Sequence, residues 1–182
     1  MKSIDYQLAK AKVNLALHVT SKRTDGFHNL DSLVCFPQLG DRIVCRKSSV
    51  PKLFISGKFR EDLSTTNNII IRVLQKISSS NRTISVHLEK NIPVSAGLGG
   101  GSADAAAVIR AFTNLWEGSR VGEKDILAFG ADVPVCMKST FQHMQGIGEK
   151  VKRIRSKLHF NLLLVNSGEP ISTRKVFQNL IA

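Results

Sequence analysis

The stretch that most constrains this chain is residues 92–107, which read IPVSAGLGGGSADAAA. Gly97, Gly99, Gly100 and Gly101 let the backbone take positive φ and leave the main chain bare, so a ligand can approach it closely. Ser102 follows in the position of an N-cap, and the alanine-rich run from Ala103 opens a helix. Unpaired N–H groups at that helix start and in the loop make a concave site for an anion. Upstream, residues 83–89 (TISVHLE) alternate β-branched or apolar residues with polar ones, so the order is strand, glycine loop, helix. Such a loop is either a phosphate cradle or no more than a tight turn. Two widespread cradles are excluded, because no GKS or GKT follows and Ser102 replaces the last glycine of GxGxxG. The acidic residues some 20 positions on (Glu117, Glu123, Asp125) fall in a polar turn and a helix start, not at the strand end a dinucleotide site needs.

Length and composition allow one domain, or one and a fraction. The 182 residues, 42% of them hydrophobic, suffice for a substantial core. No apolar run approaches a membrane span and the first residues lack a signal-peptide core, so a soluble cytoplasmic protein is expected. Cys35, Cys45 and Cys136 are odd in number and have no CxxC spacing, which reads as small core residues and not as disulfides or zinc ligands. The net charge of +12 raises the question of nucleic acid. The basic residues are scattered, however, and the densest run, residues 150–157 (KVKRIRSK), has no aromatics interleaved with it, so an anionic small molecule is expected instead.

Taken in order, residues 8–19 (LAKAKVNLALHV) alternate as one strand, with Ala9, Ala11, Val13, Leu15, Leu17 and Val19 on the buried face and Lys12 and Asn14 side by side on a polar one. Asp25 and Gly26 signal a hairpin turn into a second strand over 30–36. Phe27 and His28 sit just past the turn, where they either stack and hydrogen-bond a base or have no ligand role, with Phe27 packed inward and His28 solvated. Short strands are expected over 41–45 and 53–56, an amphipathic helix over 67–80, and helices over 102–116 and 123–129. Gly130 then caps a helix and Pro134 bars its continuation, so Val133, Val135 and Met137 read as a strand and Asp132 stands at the corner, as a general base or as a turn residue. Residues 142–150 form a second glycine turn, 160–165 (FNLLLV) a fully buried strand, and a helix opens near Ser172.

Residues 11–19 (AKVNLALHV) and 25–32 (DGFHNLDS), the loop over 93–107, residues 130–138 (GADVPVCMK) and residues 171–177 (ISTRKVF) stand in the order and spacing of one family: the chain resembles the GHMP kinases. Within them it is similar to the branch of the non-mevalonate isoprenoid pathway that acts on a cytidylyl-methylerythritol. The resemblance implies an α+β fold, with a GHMP-kinase N-terminal domain of the ribosomal protein S5 domain 2-like type over 1–158 and, over 159–182, the start of a ferredoxin-like C-terminal domain that is largely absent. It implies an ATP-dependent kinase, with activity of this short chain alone left open. Lys12 and Asp132 become the catalytic pair, Asp132 taking the proton of the substrate hydroxyl. Pro93, Val94, Ser95, Ala96, Gly97, Leu98, Gly99, Gly100, Gly101, Ser102 and Ala103 wrap the triphosphate of ATP, Ser102 offers its hydroxyl to Mg²⁺, and Asn14, Phe27 and His28 hold the substrate. Phe27 stands where the family usually has Tyr, which keeps the stacking face and loses a hydroxyl. The segment over 117–129 is shorter than usual, which is expected to trim or loosen its helix. Homodimerisation is left open, and neither nucleic acid nor membrane is expected as a partner. The alternatives are another GHMP small-molecule kinase, an inactive nucleotide-binding module, or a basic RNA-binding module.

Overall fold

The computed structural model describes residues 2–156, 160–169, 171 and 173–180, without the side chains of 173–175. The proposed boundary at 158/159 and the proposed helix start at Ser172 lie outside the described residues. Two four-stranded sheets carry the fold. The first contains β1 (Ile4–Lys10), β4 (Gly40–Lys47), β6 (Ile84–Glu89) and β5 (Lys52–Ser56) in that order, antiparallel except for the parallel pair β5 and β6, which α1 (Ile69–Ile77) connects. The second, antiparallel throughout, contains β2 (Val13–Lys22), β3 (His28–Cys35), β7 (Gln142–Gly146) and β8 (Lys150–Arg153). Between β6 and β7 run α2 (Gly100–Leu115), α3 (Glu123–Phe129) and α4 (Val133–Cys136), and α5 (Thr173–Gln178) follows β8.

The first sheet is covered on one face only. Its alternation turns Ala9, Ile43, Cys45, Ile84, Val86 and Leu88 onto α1 and α2, and none of these is more than 1% exposed. α1 begins where the Asn68 side chain accepts the Ile71 N–H at 3.1 Å. α2 lies against the sheet through Ala103, Ala105, Ala106 and Ala107, whose small side chains permit close approach, and through Val108, Ile109, Phe112 and Leu115, each contributing about 1.5–3 kcal/mol by leaving water.

Several expectations are corrected. The strand expected over 8–19 is two strands in different sheets: it breaks because the Ala11 N–H donates to Leu39 C=O and the Lys12 N–H to Leu98 C=O, both 2.8 Å, which takes these amides out of any ladder. Past the break the assumed buried face fails, with Leu15 and Leu17 exposed. Ser102 is not the N-cap of α2. Gly99 is, at φ 63°, and Ser102 lies inside the first turn. Val133, Val135 and Met137 do not begin a strand, because Pro134 sits in the first turn of α4, where its missing N–H costs nothing. α3 forms over its whole expected span and buries Phe129 in the core. Residues 160–165 form no strand, and Leu163 and Val165 are 88% and 87% exposed. A continuous apolar run needs cover on both faces, and among the described residues it has no strand partner.

Candidate active site

Both sheets and the start of α2 border one cavity of about 810 Å³. Its polar rim is built from three sources. The first is the break between β1 and β2. Lys12, held by its backbone to Leu98 of the glycine loop, reaches across with its ammonium, and its side chain is only 7% exposed. The second is the corner before α4. Asp132 occupies the N-cap position of that helix without making a side-chain cap, which leaves its carboxylate free to meet Lys12, Nζ to Oδ1 2.9 Å, while 35% exposed to the cavity. α4 itself is fastened from behind. The half-buried Arg110 guanidinium donates to Cys136 C=O at 2.8 Å, and Gln142 Nε2 donates to Val135 C=O at 2.9 Å. Burial pushes the neighbouring Cys136 thiol up to about 12, so it stays protonated and inert.

The third source is the loop. Residues 93–102 line the cavity. Gly99 needs to be glycine twice over: its φ is left-handed, and a Cβ there would stand 3.2 Å from Cβ of Lys12. Ala103 is buried behind the loop and is not on the cavity wall. Asn14 is on the wall, with its Nδ2 donating to Ser32 Oγ at 2.6 Å. Phe27 and His28 are not. β3 starts at His28, and the alternation of its buried positions turns the imidazole inward, 7% exposed and 5.5 Å from the Phe177 ring, while Phe27 points out to solvent. This reverses the inward Phe27 and solvated His28 of the ligand-free reading. The structure thus brings Lys12, Asn14, Asp132 and residues 93–102 to one cavity and leaves Ala103, Phe27 and His28 off its wall.

Beneath the loop lies a cluster that the sequence reading missed. Lys90, 2% exposed, donates through Nζ to Asp104 Oδ2 at 2.9 Å and to Asp41 Oδ2. Burial alone would depress the Lys90 ammonium, but the charges of Asp104 and Asp41 outweigh it and hold it above its ordinary value. Burial pushes the Asp104 carboxyl well up, only partly offset by Lys90. The signal was present: Ile84, Val86 and Leu88 alternate onto the buried face, and the same period puts Lys90 there, as the period of Ile43 and Cys45 does for Asp41.

Residues 68–145 match the sequence profile of the GHMP kinases N terminal domain, and the fold is that of this domain. The curated relatives are named 4-diphosphocytidyl-2-C-methyl-D-erythritol kinase. The protein of Parvibaculum lavamentivorans is 42% identical over 97% of this chain and 63% of its own length, and that of Ruegeria pomeroyi 41% identical over 95% and 62%. A crystal structure of 4-(cytidine 5'-diphospho)-2C-methyl-D-erythritol kinase superposes with a TM-score of 0.69 at 33% identity, covering 82% of this chain and 55% of that one. The chain spans a little over three fifths of the length of the curated relatives it matches. Among the described residues no helix is long and apolar enough to cross a membrane, and no group of three or more His, Cys, Asp or Glu could hold a metal ion.

Proposed function

We propose that the chain carries the nucleotide-binding and catalytic part of an ATP-dependent kinase that phosphorylates the 2-hydroxyl of 4-diphosphocytidyl-2-C-methyl-D-erythritol, in the non-mevalonate route to isoprenoids. The observation that carries this reading is the 2.9 Å pair of Lys12 and Asp132 at the rim of a glycine-lined cavity. The relatives' name supplies the substrate.

The loop N–H groups and the start of α2 hold the triphosphate, with its γ-phosphorus turned toward Asp132. Asp132 accepts the proton of the substrate hydroxyl, the oxygen forms its bond to the γ-phosphorus, and the bond from that phosphorus to the β,γ-bridging oxygen breaks, releasing ADP. Lys12 aligns the carboxylate and offsets negative charge gathering on the transferred phosphoryl group. Its own amide is tied to the loop, donating to Leu98 C=O at 2.8 Å. Asn14 faces the methylerythritol hydroxyls. A Mg²⁺ ion in such sites is held mainly by substrate phosphates and water, so it asks little of the protein. The Ser102 hydroxyl on the cavity wall would hold the ion, which when bound would neutralise negative charge on the triphosphate.

The test is ADP release with ATP and the cytidylyl substrate, with mevalonate, homoserine and galactose as competing acceptors. Asp132→Asn keeps the shape of the site and removes the base, so turnover falls by about 100- to 10,000-fold. Turnover near that of the parent, or a preference for one of the other acceptors, would overturn the mechanism or the substrate respectively.

A further inference from the structure

The glycine loop is fastened at both ends to one buried ammonium. At its start, Asp41 Oδ1 accepts the backbone N–H of Asn91 at 2.5 Å and of Ile92 at 2.8 Å, while Oδ2 of the same carboxylate takes Lys90. At its far end, Lys90 binds Asp104, one turn into α2, on the inner face of the helix. The ammonium lies under the first helical residue, since a Cβ on Gly100 would stand 3.1 Å from Lys90 Nζ. All three residues are at most 2% exposed. Lys90 and Asp104 nevertheless reach the cavity floor, where Asp104 Oδ1 has no hydrogen-bond partner.

We propose that Lys90, Asp41 and Asp104 are positioning residues that draw the two ends of the loop together and hold its amides in the spacing a polyphosphate requires. They need not touch the nucleotide to do so. An apolar core would fill the same space without desolvating three ionisable groups, and such clusters are weak sources of stability. What this cluster adds is direction: it fixes the chain before the loop and the helix after it to a common point. A loop whose amides are already arranged loses less freedom on binding, so the effect falls on affinity for the phosphates and not on the adenosine half. The proposal rests on the reading that this cavity takes a nucleotide.

The experiment uses the full chain, the double variant Lys90→Met/Asp104→Asn and the single variant Asp41→Ala. Lys90→Met alone is avoided because it strands two buried carboxylates without their cation, whereas the double variant leaves only that of Asp41, which keeps the Asn91 and Ile92 N–H groups. ATP and adenosine are titrated separately, and amide hydrogen exchange is followed across residues 94–102. The double variant is expected to bind ATP about tenfold more weakly with adenosine unchanged. Exchange at the loop amides rises while α1 and β6 keep their protection. Asp41→Ala gives the same pattern, more weakly, and stands in if the double variant fails to fold. Equal weakening of both ligands shows a general loss of structure and overturns the proposal, as does unchanged loop exchange in a variant with an intact melting curve. If the parent chain binds neither ATP nor adenosine, the nucleotide reading fails, and loop exchange alone decides whether the tie exists.

Discussion

The two sheets are alike in strand number and unlike in what covers them. The first is sealed on its inner face by α1 and α2, with Val73, Val86, Ala106 and Val108 wholly out of water. The second leaves Leu17, Val19 and Leu30 on a cavity wall, closed in part by Val176, Phe177 and Leu180 of the last described segment. That segment is held lightly, its described ties including the Ile171 N–H to Ser95 C=O at 3.3 Å and the His28–Phe177 ring contact. The contrast teaches where a site can be built. Lys12 stands at the crossing from the rigid sheet to the open one, so its backbone belongs to the packed half and its ammonium to the cavity. Local opening should therefore begin in the second region and leave the loop and α2 closed.

The largest effect that probes this contrast is on stability. Phe112, 4% exposed in the middle of α2, packs into the sealed half, and Phe112→Ala should cost about 3–5 kcal/mol in chemical denaturation. A loss below 1 kcal/mol would show that this half is not the structural base. A smaller effect sharpens the comparison at the seam. Gly97 and Gly99 both have left-handed φ, 72° and 63°, but a Cβ on Gly97 meets nothing within 4 Å while one on Gly99 meets Lys12. Each Gly→Ala change should cost about 1–2 kcal/mol of backbone strain. Only Gly99→Ala should also displace Lys12 and lower phosphoryl transfer. If the two variants lose activity equally, the contact with Lys12 carries no function.

Much of the frame was legible because local rules and packing agree there. Residues 123–129 show helical spacing, a glycine stop and a buried Phe129, and form the expected helix. Asp25 and Gly26 close the expected hairpin, Asp25 Oδ1 accepting the Phe27 N–H at 3.1 Å. The readings that failed did so where a tertiary contact overrides a period. Alternation over 8–19 is unbroken, yet amides at 11 and 12 are claimed by Leu39 and Leu98, which are distant in sequence and decide that Lys12 is buried. The Lys90 cluster shows the opposite failure. There the period was informative, but a charge on a buried face acquires meaning only when its partners, 49 and 14 residues away, are known.

The smallest expected effect concerns the segment over 160–165, whose sequence reads as core and whose Leu163 and Val165 side chains stand in water. If Leu163 and Val165 are as free as their exposure indicates, replacing both with Ser should change stability by no more than about 0.5 kcal/mol, as at other surface sites. The same change should reduce concentration-dependent light scattering, because a contiguous apolar surface promotes association. The two readouts are independent and point in opposite directions for the two pictures of the segment. A loss of 2 kcal/mol or more would mean that these side chains are packed in solution. The second region would then carry apolar cover beyond that of Val176, Phe177 and Leu180, and its contrast with the first would narrow.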